Sequence, residues 1–153
     1  MGAVYFYHLS ERPLEATLPT LLQKSLAAGW RVAVRSGDTA LVERLDGTLW
    51  LGDGFLPHGV AGGAHDRDQP ILLTTGTAAN AANCLMAVGS AVVSTDEAKE
   101  ADRVCILFDG ADPQAVDHAR GLWREMTGAG LAAQYWADEG GRWEKKAEAA
   151  ATD

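Results

Sequence analysis

Residues 3–49, AVYFYHLSERPLEATLPTLLQKSLAAGWRVAVRSGDTALVERLDGTL, decide the fold class. Residues 3–8 (AVYFYH) form an apolar, aromatic run long enough for a strand and too short for a helix. Ser10, followed by Glu11, Arg12 and Pro13, marks a helix start, with Ser10 as cap and Pro13 near the first turn. Leu14, Leu18, Leu21, Leu22 and Leu26 recur on one face of that helix; Pro19 either kinks it or marks its true first turn, and Gly29 stops it. Residues 30–35 (WRVAVR) read as a second strand after a tight connection. Ser36-Gly37-Asp38 then caps a second helix, from Thr39 to about Leu49, with Leu41, Leu45 and Leu49 four residues apart. Strand, helix, strand, helix is the pattern of a layered α/β fold.

Downstream, residues 51–69 (LGDGFLPHGVAGGAHDRDQ) shift to Gly, Asp, His and Pro, a loop longer than a connector needs. Residues 70–75 (PILLTT) predict a third strand, buried on both faces, and residues 84–88 (CLMAV) a fourth after a turn-prone link. A short helical stretch over 94–101 precedes a strand over 104–108, which ends at Asp109-Gly110. The next helix spans 113–127, with Val116, Ala119, Leu122, Trp123 and Met126 as its apolar stripe. Residues 131–136 predict the last strand, and residues 144–153 (EKKAEAAATD) a frayed, flexible tail. No repeat or linker divides the chain, so the expectation is one α/β domain over residues 1–143.

A length of 153 residues suits one domain with its own core, and 47% hydrophobic with 22% charged residues is ordinary for a globular fold. The net charge of −8 sets the protein against phosphate backbones, so direct DNA binding is not expected. The N-terminus MGAVYFYHLSERP lacks the pattern of a signal peptide, and no apolar run reaches the roughly 20 residues of a membrane span. Cys84 and Cys105 lie in apolar surroundings and read as reduced, buried thiols, which points to the cytoplasm.

The chemical motifs are mostly negative. The first strand-to-helix turn, HLSERP, has no glycine to admit a phosphate, and no GxxxxGK[ST] occurs, so a nucleotide site is not expected. Ser90 is not in a GxSxG elbow, and neither cysteine has an activating motif. The enzymatic alternative is a small metal-dependent hydrolase built on His58, His65, Asp66 and Asp68, ligand types within one loop.

Five Trp against three Tyr and three Phe direct attention to binding. Arg120, Trp123 and Arg124 fall at i, i+3 and i+4 on one helix, a basic rim around an aromatic platform that suits an acidic peptide with an apolar end. The plainer alternative puts Trp123 in the core stripe with the arginines snorkelling around it. Arg142, Lys145 and Lys146 surround Trp143 in a second local reversal of charge. Trp50, Phe55, Leu56 and Pro57 form another apolar group, whose plainer reading is a loop folding its aromatics onto the sheet.

The ordered set YFYHL, GWRV, LDGTLW, FLPHGVAG, PILLTT, LFDG, ARGLWREMTGAGL and YWADEGGRWEKKA resembles the chi subunit family of bacterial DNA polymerase III, over nearly the whole chain. The resemblance implies a three-layer α/β/α sandwich around a mostly parallel or mixed sheet, Rossmann-like without a nucleotide site, and a non-catalytic, cofactor-free adaptor in the clamp-loader complex. One surface would bind the psi subunit, or a substitute partner such as a helicase, through Trp50, Phe55, Leu56 and Pro57. Another would bind the acidic, Phe-terminated tail of single-stranded DNA-binding protein through Arg120, Trp123 and Arg124, with Asp109 and Gly110 nearby. Trp123 stands where familiar members have Tyr, and Arg124 where they have Lys, which keeps platform and charge but not hydrogen-bond geometry.

Overall fold

A computed structural model describes residues 2–52 and 56–152. The elements follow the order β1 (Ala3–Leu9), α1 (Leu14–Ala27), β2 (Val32–Ser36), α2 (Thr39–Leu51), β3 (Gly59–Val60), β4 (Ile71–Thr74), β5 (Cys84–Val88), α3 (Thr95–Glu100), β6 (Arg103–Asp109), α4 (Pro113–Gly128), β7 (Ala132–Glu139) and β8 (Arg142–Ala149). The strands make one sheet in the order β3-β4-β2-β5-β6-β1-β7-β8. Neighbours run parallel except β7 and β8, which are antiparallel.

Side-chain alternation along the strands divides the core into two layers. Val4 and Phe6 of β1 pack with Ile106, Phe108 and Ala133 beneath α3 and α4, whose Ala98, Ala119, Leu122 and Met126 close that side. Leu9, Val34, Met86 and Leu107 face the opposite way, beneath Leu18 and Leu22 of α1 and Leu41, Leu45 and Leu49 of α2. Two helices on each face of a mixed sheet make the three-layer α/β/α sandwich that the resemblance implies.

Several local readings change. Ser10 does not cap α1: the helix begins after Pro13, and no side chain caps it. The backbone N–H groups of Ser10, Glu11 and Arg12 instead donate to the Asp138 carboxylate at 2.6, 3.1 and 2.7 Å. Pro19 lies within the helix and does not mark its first turn.

The loop over 51–69 is partly ordered into secondary structure: α2 runs on to Leu51, and β3 adds a two-residue edge to β4. The tail expected to fray over 144–153 is strand β8 as far as Ala149. The reason is the pair Gly140-Gly141, with φ of 59° and 77°, which makes a two-residue hairpin of the kind that matches strand twist. Lys145, Lys146, Glu144 and Glu148 give β8 the charged edge that discourages sheet-to-sheet pairing.

Candidate functional site

Helix α4 starts with Asp112, which accepts from the Gln114 N–H, and Pro113 in the first turn. Ala115, Ala119, Leu122 and Met126 take its buried stripe. Trp123 is rotated off that stripe and half-buried at its margin, while Arg120 and Arg124 are exposed. Its ring packs on the core, T-shaped against Phe6 at 5.4 Å and Tyr135 at 6.1 Å, and the residue keeps part of its surface exposed.

The Asp109–Gly110 loop joins this face through His8. The His8 Nδ1 and the Tyr135 hydroxyl are 2.8 Å apart, and the His8 ring meets Phe108 edge-on at 5.2 Å. A Cβ on Gly110 would collide with the His8 imidazole, so only glycine lets the β6–α4 turn close over that ring. Asp109 accepts from the Ala111 N–H at 2.9 Å and shapes the turn. Burial pushes the Tyr135 phenol above its ordinary pKa, and the nearby Arg120 guanidinium pulls it the other way. Gly110, His8, Tyr135, Trp123 and Arg120 thus form a connected patch at the carboxyl ends of β6, β1 and β7. His8 and Tyr135 were not singled out from the sequence; the one signal for them is a polar ring ending the apolar run YFYHL and an aromatic alternating with small residues in AAQYW.

The second apolar group is divided. Trp50 is 56% exposed and Leu51, beside it, 87% exposed at the end of α2. Leu56, expected on the same surface, is buried in the α1/α2 layer and unavailable to a partner. Pro57 is half-buried, and Phe55 lies outside the described residues. Trp50 rests on the buried His58 ring, centroids 4.3 Å apart. His58 is held by Asp46 at 2.9 Å and the Leu56 carbonyl at 2.7 Å. Leu56 is thus the residue of this group that folds into the core, and Trp50 stays outside.

The metal-loop residues are not brought together. His58 is committed to Asp46, and Asp66 accepts from the N–H groups of Gly62 and Gly63 at 2.8 and 3.0 Å. Among the described residues no group of three or more His, Cys, Asp or Glu is placed to hold a metal ion.

Trp30 and Trp136 are both half-buried. Cys84 and Cys105 are free and buried. Among the described residues no helix is long and apolar enough to cross a membrane.

A search of curated proteins finds no match to the chain. The family model described as DNA polymerase III chi subunit, HolC, matches residues 1–134, so β8 and the second half of β7 lie beyond the matched span. With the matched span covering β1 to α4 and the sandwich the family resemblance implies in place, the chain belongs to the DNA polymerase III chi subunit family, accessory components of the replicative polymerase.

Proposed function

We propose that the protein is a non-catalytic adaptor of the clamp-loader complex, acting in the cytoplasm, that links psi or an equivalent partner to the C-terminal tail of single-stranded DNA-binding protein. The observation that carries this reading is the α4 face, where exposed Arg120 and Arg124 flank a Trp123 ring already braced on Phe6 and Tyr135. A tail that ends in Phe and a free carboxylate needs an apolar platform for the ring and a guanidinium for the carboxylate, with further positive charge for upstream aspartates. Rigid bracing of the platform lowers the entropy lost on binding. The exposed Trp50–Leu51 pair, on the other face of the sandwich, supports a separate apolar contact for psi, or for a helicase in its place.

Calorimetric titration with the last ten or so residues of the host's single-stranded DNA-binding protein tests the main claim. Binding should disappear when the terminal Phe is removed and should weaken about tenfold or more in Arg124→Glu or Arg120→Ala. Unchanged affinity in both variants would show that the tail docks elsewhere. Retention of psi or helicase in a pull-down should fall with Trp50→Ala while tail binding persists.

A further inference from the structure

We propose that the groove between α1 and the β1–β7–β8 end of the sheet is a second docking site, for an acidic peptide segment bearing one bulky apolar side chain. The groove is about 320 Å³, which accommodates a single large side chain with adjoining backbone. Its floor is aromatic: Tyr5 and Tyr7 of β1, Trp136 of β7 and Trp143 of β8, facing Ala16, Thr20 and Leu21 of α1. On that face α1 packs chiefly against β2 and β6, and α2 against β2, β3 and β4, to one side of this end of the sheet.

Charge selects the occupant. In a chain of net charge −8, the groove is lined by the cations Arg12 and Lys24 and, among the described residues, by no carboxylate. Lys145 pairs directly with Trp136 in the β7–β8 register and so projects from the same face. The nearby carboxylates are engaged outside the lining: buried Asp138 with the N–H groups of Ser10, Glu11 and Arg12, Glu148 with Lys145 at 3.3 Å, and Glu11 with the Gly141 N–H at 2.9 Å. Arg12 is pre-positioned, 5.6 Å over the Trp143 ring and donating to the Gly141 carbonyl at 2.6 Å. Trp143 in turn meets Tyr7 edge-on at 5.4 Å.

A peptide fits these features better than a single-stranded nucleic acid. Stacking platforms for bases need a basic track along the backbone, and here two lining cations sit in a strongly acidic molecule. The groove is also separate from the α4 face. Tyr135 and Trp136 are consecutive on β7, and the first belongs to the α3/α4 layer while the second lines this groove. Of the lining residues, Trp136 and Trp143 lie beyond the residues matched by the family model, and the rest lie within them.

The probe is a decapeptide of Asp and Glu with one central Phe and an amidated C-terminus, which removes the terminal carboxylate that the α4 face would read. Titration into the full chain, followed by Trp fluorescence and calorimetry, should show binding that is lost when Phe is replaced by Ser in the peptide. Lys24→Glu should weaken it about tenfold, and Thr20→Trp, which fills the groove from an exposed position on α1, should abolish it. Arg124→Glu should leave it unchanged, and both groove variants should still bind the tail peptide of the α4 face, so that failure of one site is distinguishable from failure of the other. The proposal is overturned if the amidated peptide does not bind, if Arg124→Glu removes its binding while Lys24→Glu and Thr20→Trp do not, or if oligothymidylate rather than the peptide binds in a Lys24-dependent way.

Discussion

Asp138 joins two distant parts of the chain: its fully buried carboxylate accepts from the N–H groups of Ser10, Glu11 and Arg12, over a hundred residues earlier. Burial raises its pKa, but the backbone N–H bonds outweigh that and hold it below the ordinary carboxylate value. A depressed folded pKa means that the unfolded chain binds the proton more readily. The contribution to stability is therefore complete above the unfolded value of about 4 and is lost as pH falls through the folded one. Asp138→Ala should cost about 3 kcal/mol in chemical denaturation at neutral pH, and less at acid pH. Gly110→Ala should displace His8 and break its contact with Tyr135, costing about 1–3 kcal/mol and weakening tail binding together. A thermal melt and a calorimetric titration of the same variant check both effects.

At the scale of elements, α3 is a helix of six residues held by its ends. Ser94 and Glu97 form a reciprocal capping box, and Glu97 also takes a two-pronged pair from the largely buried Arg35, at 2.5 and 3.1 Å. The Arg35 hydrogen bonds bring the Glu97 pKa from its ordinary 4.5 to about 2. This pair therefore supports α3 fully above the ordinary Glu97 value of 4.5 and releases it as pH falls toward 2. Ser94→Ala should cost about 1 kcal/mol and raise hydrogen exchange in α3 before the rest of the sheet. The β7–β8 hairpin depends on backbone rather than on apolar pattern. Replacing Gly140 and Gly141 with alanine puts two side chains in the left-handed region and should cost about 1–2 kcal/mol at each, read as loss of protection in β8.

The same contrast explains which elements the sequence made legible. The β1–α1–β2–α2 order follows from apolar periodicity and glycine stops, and it appears in the structure with boundaries moved by a few residues. Strand β8 carries no apolar alternation, because both of its faces are largely solvated, and only the Gly-Gly turn announced it. Ser10 looked like a cap because its residue type and distance from the leucines fit one. The acceptor that takes its N–H comes from β7, and no local reading contains it.

For the whole molecule, the net charge of −8 and two local reversals of sign act together. A net negative charge disfavours approach to bare DNA, while the exposed Arg120 and Arg124 on α4 are the local positive charge on which the proposed tail contact relies. That attraction should be screened: raising salt from about 0.05 to 0.5 M, which shortens the Debye length to a few ångströms, should weaken tail binding several-fold. A gel shift with bare single-stranded oligonucleotide should remain negative at physiological salt.

The sequence by itself determined the α/β class, the absence of a phosphate-binding turn, the acidic sign of the molecule and the helical spacing of Arg120, Trp123 and Arg124, because each depends on residues close together in the chain. Tertiary structure alone decided that Trp123 is braced by Phe6 and Tyr135, that Leu56 is buried while Trp50 stays exposed, and that Arg12 stands over Trp143. Those outcomes depend on strand order, which places β1 between β6 and β7, and on which face of the sheet each side chain meets, a long-range consequence that no local pattern encodes.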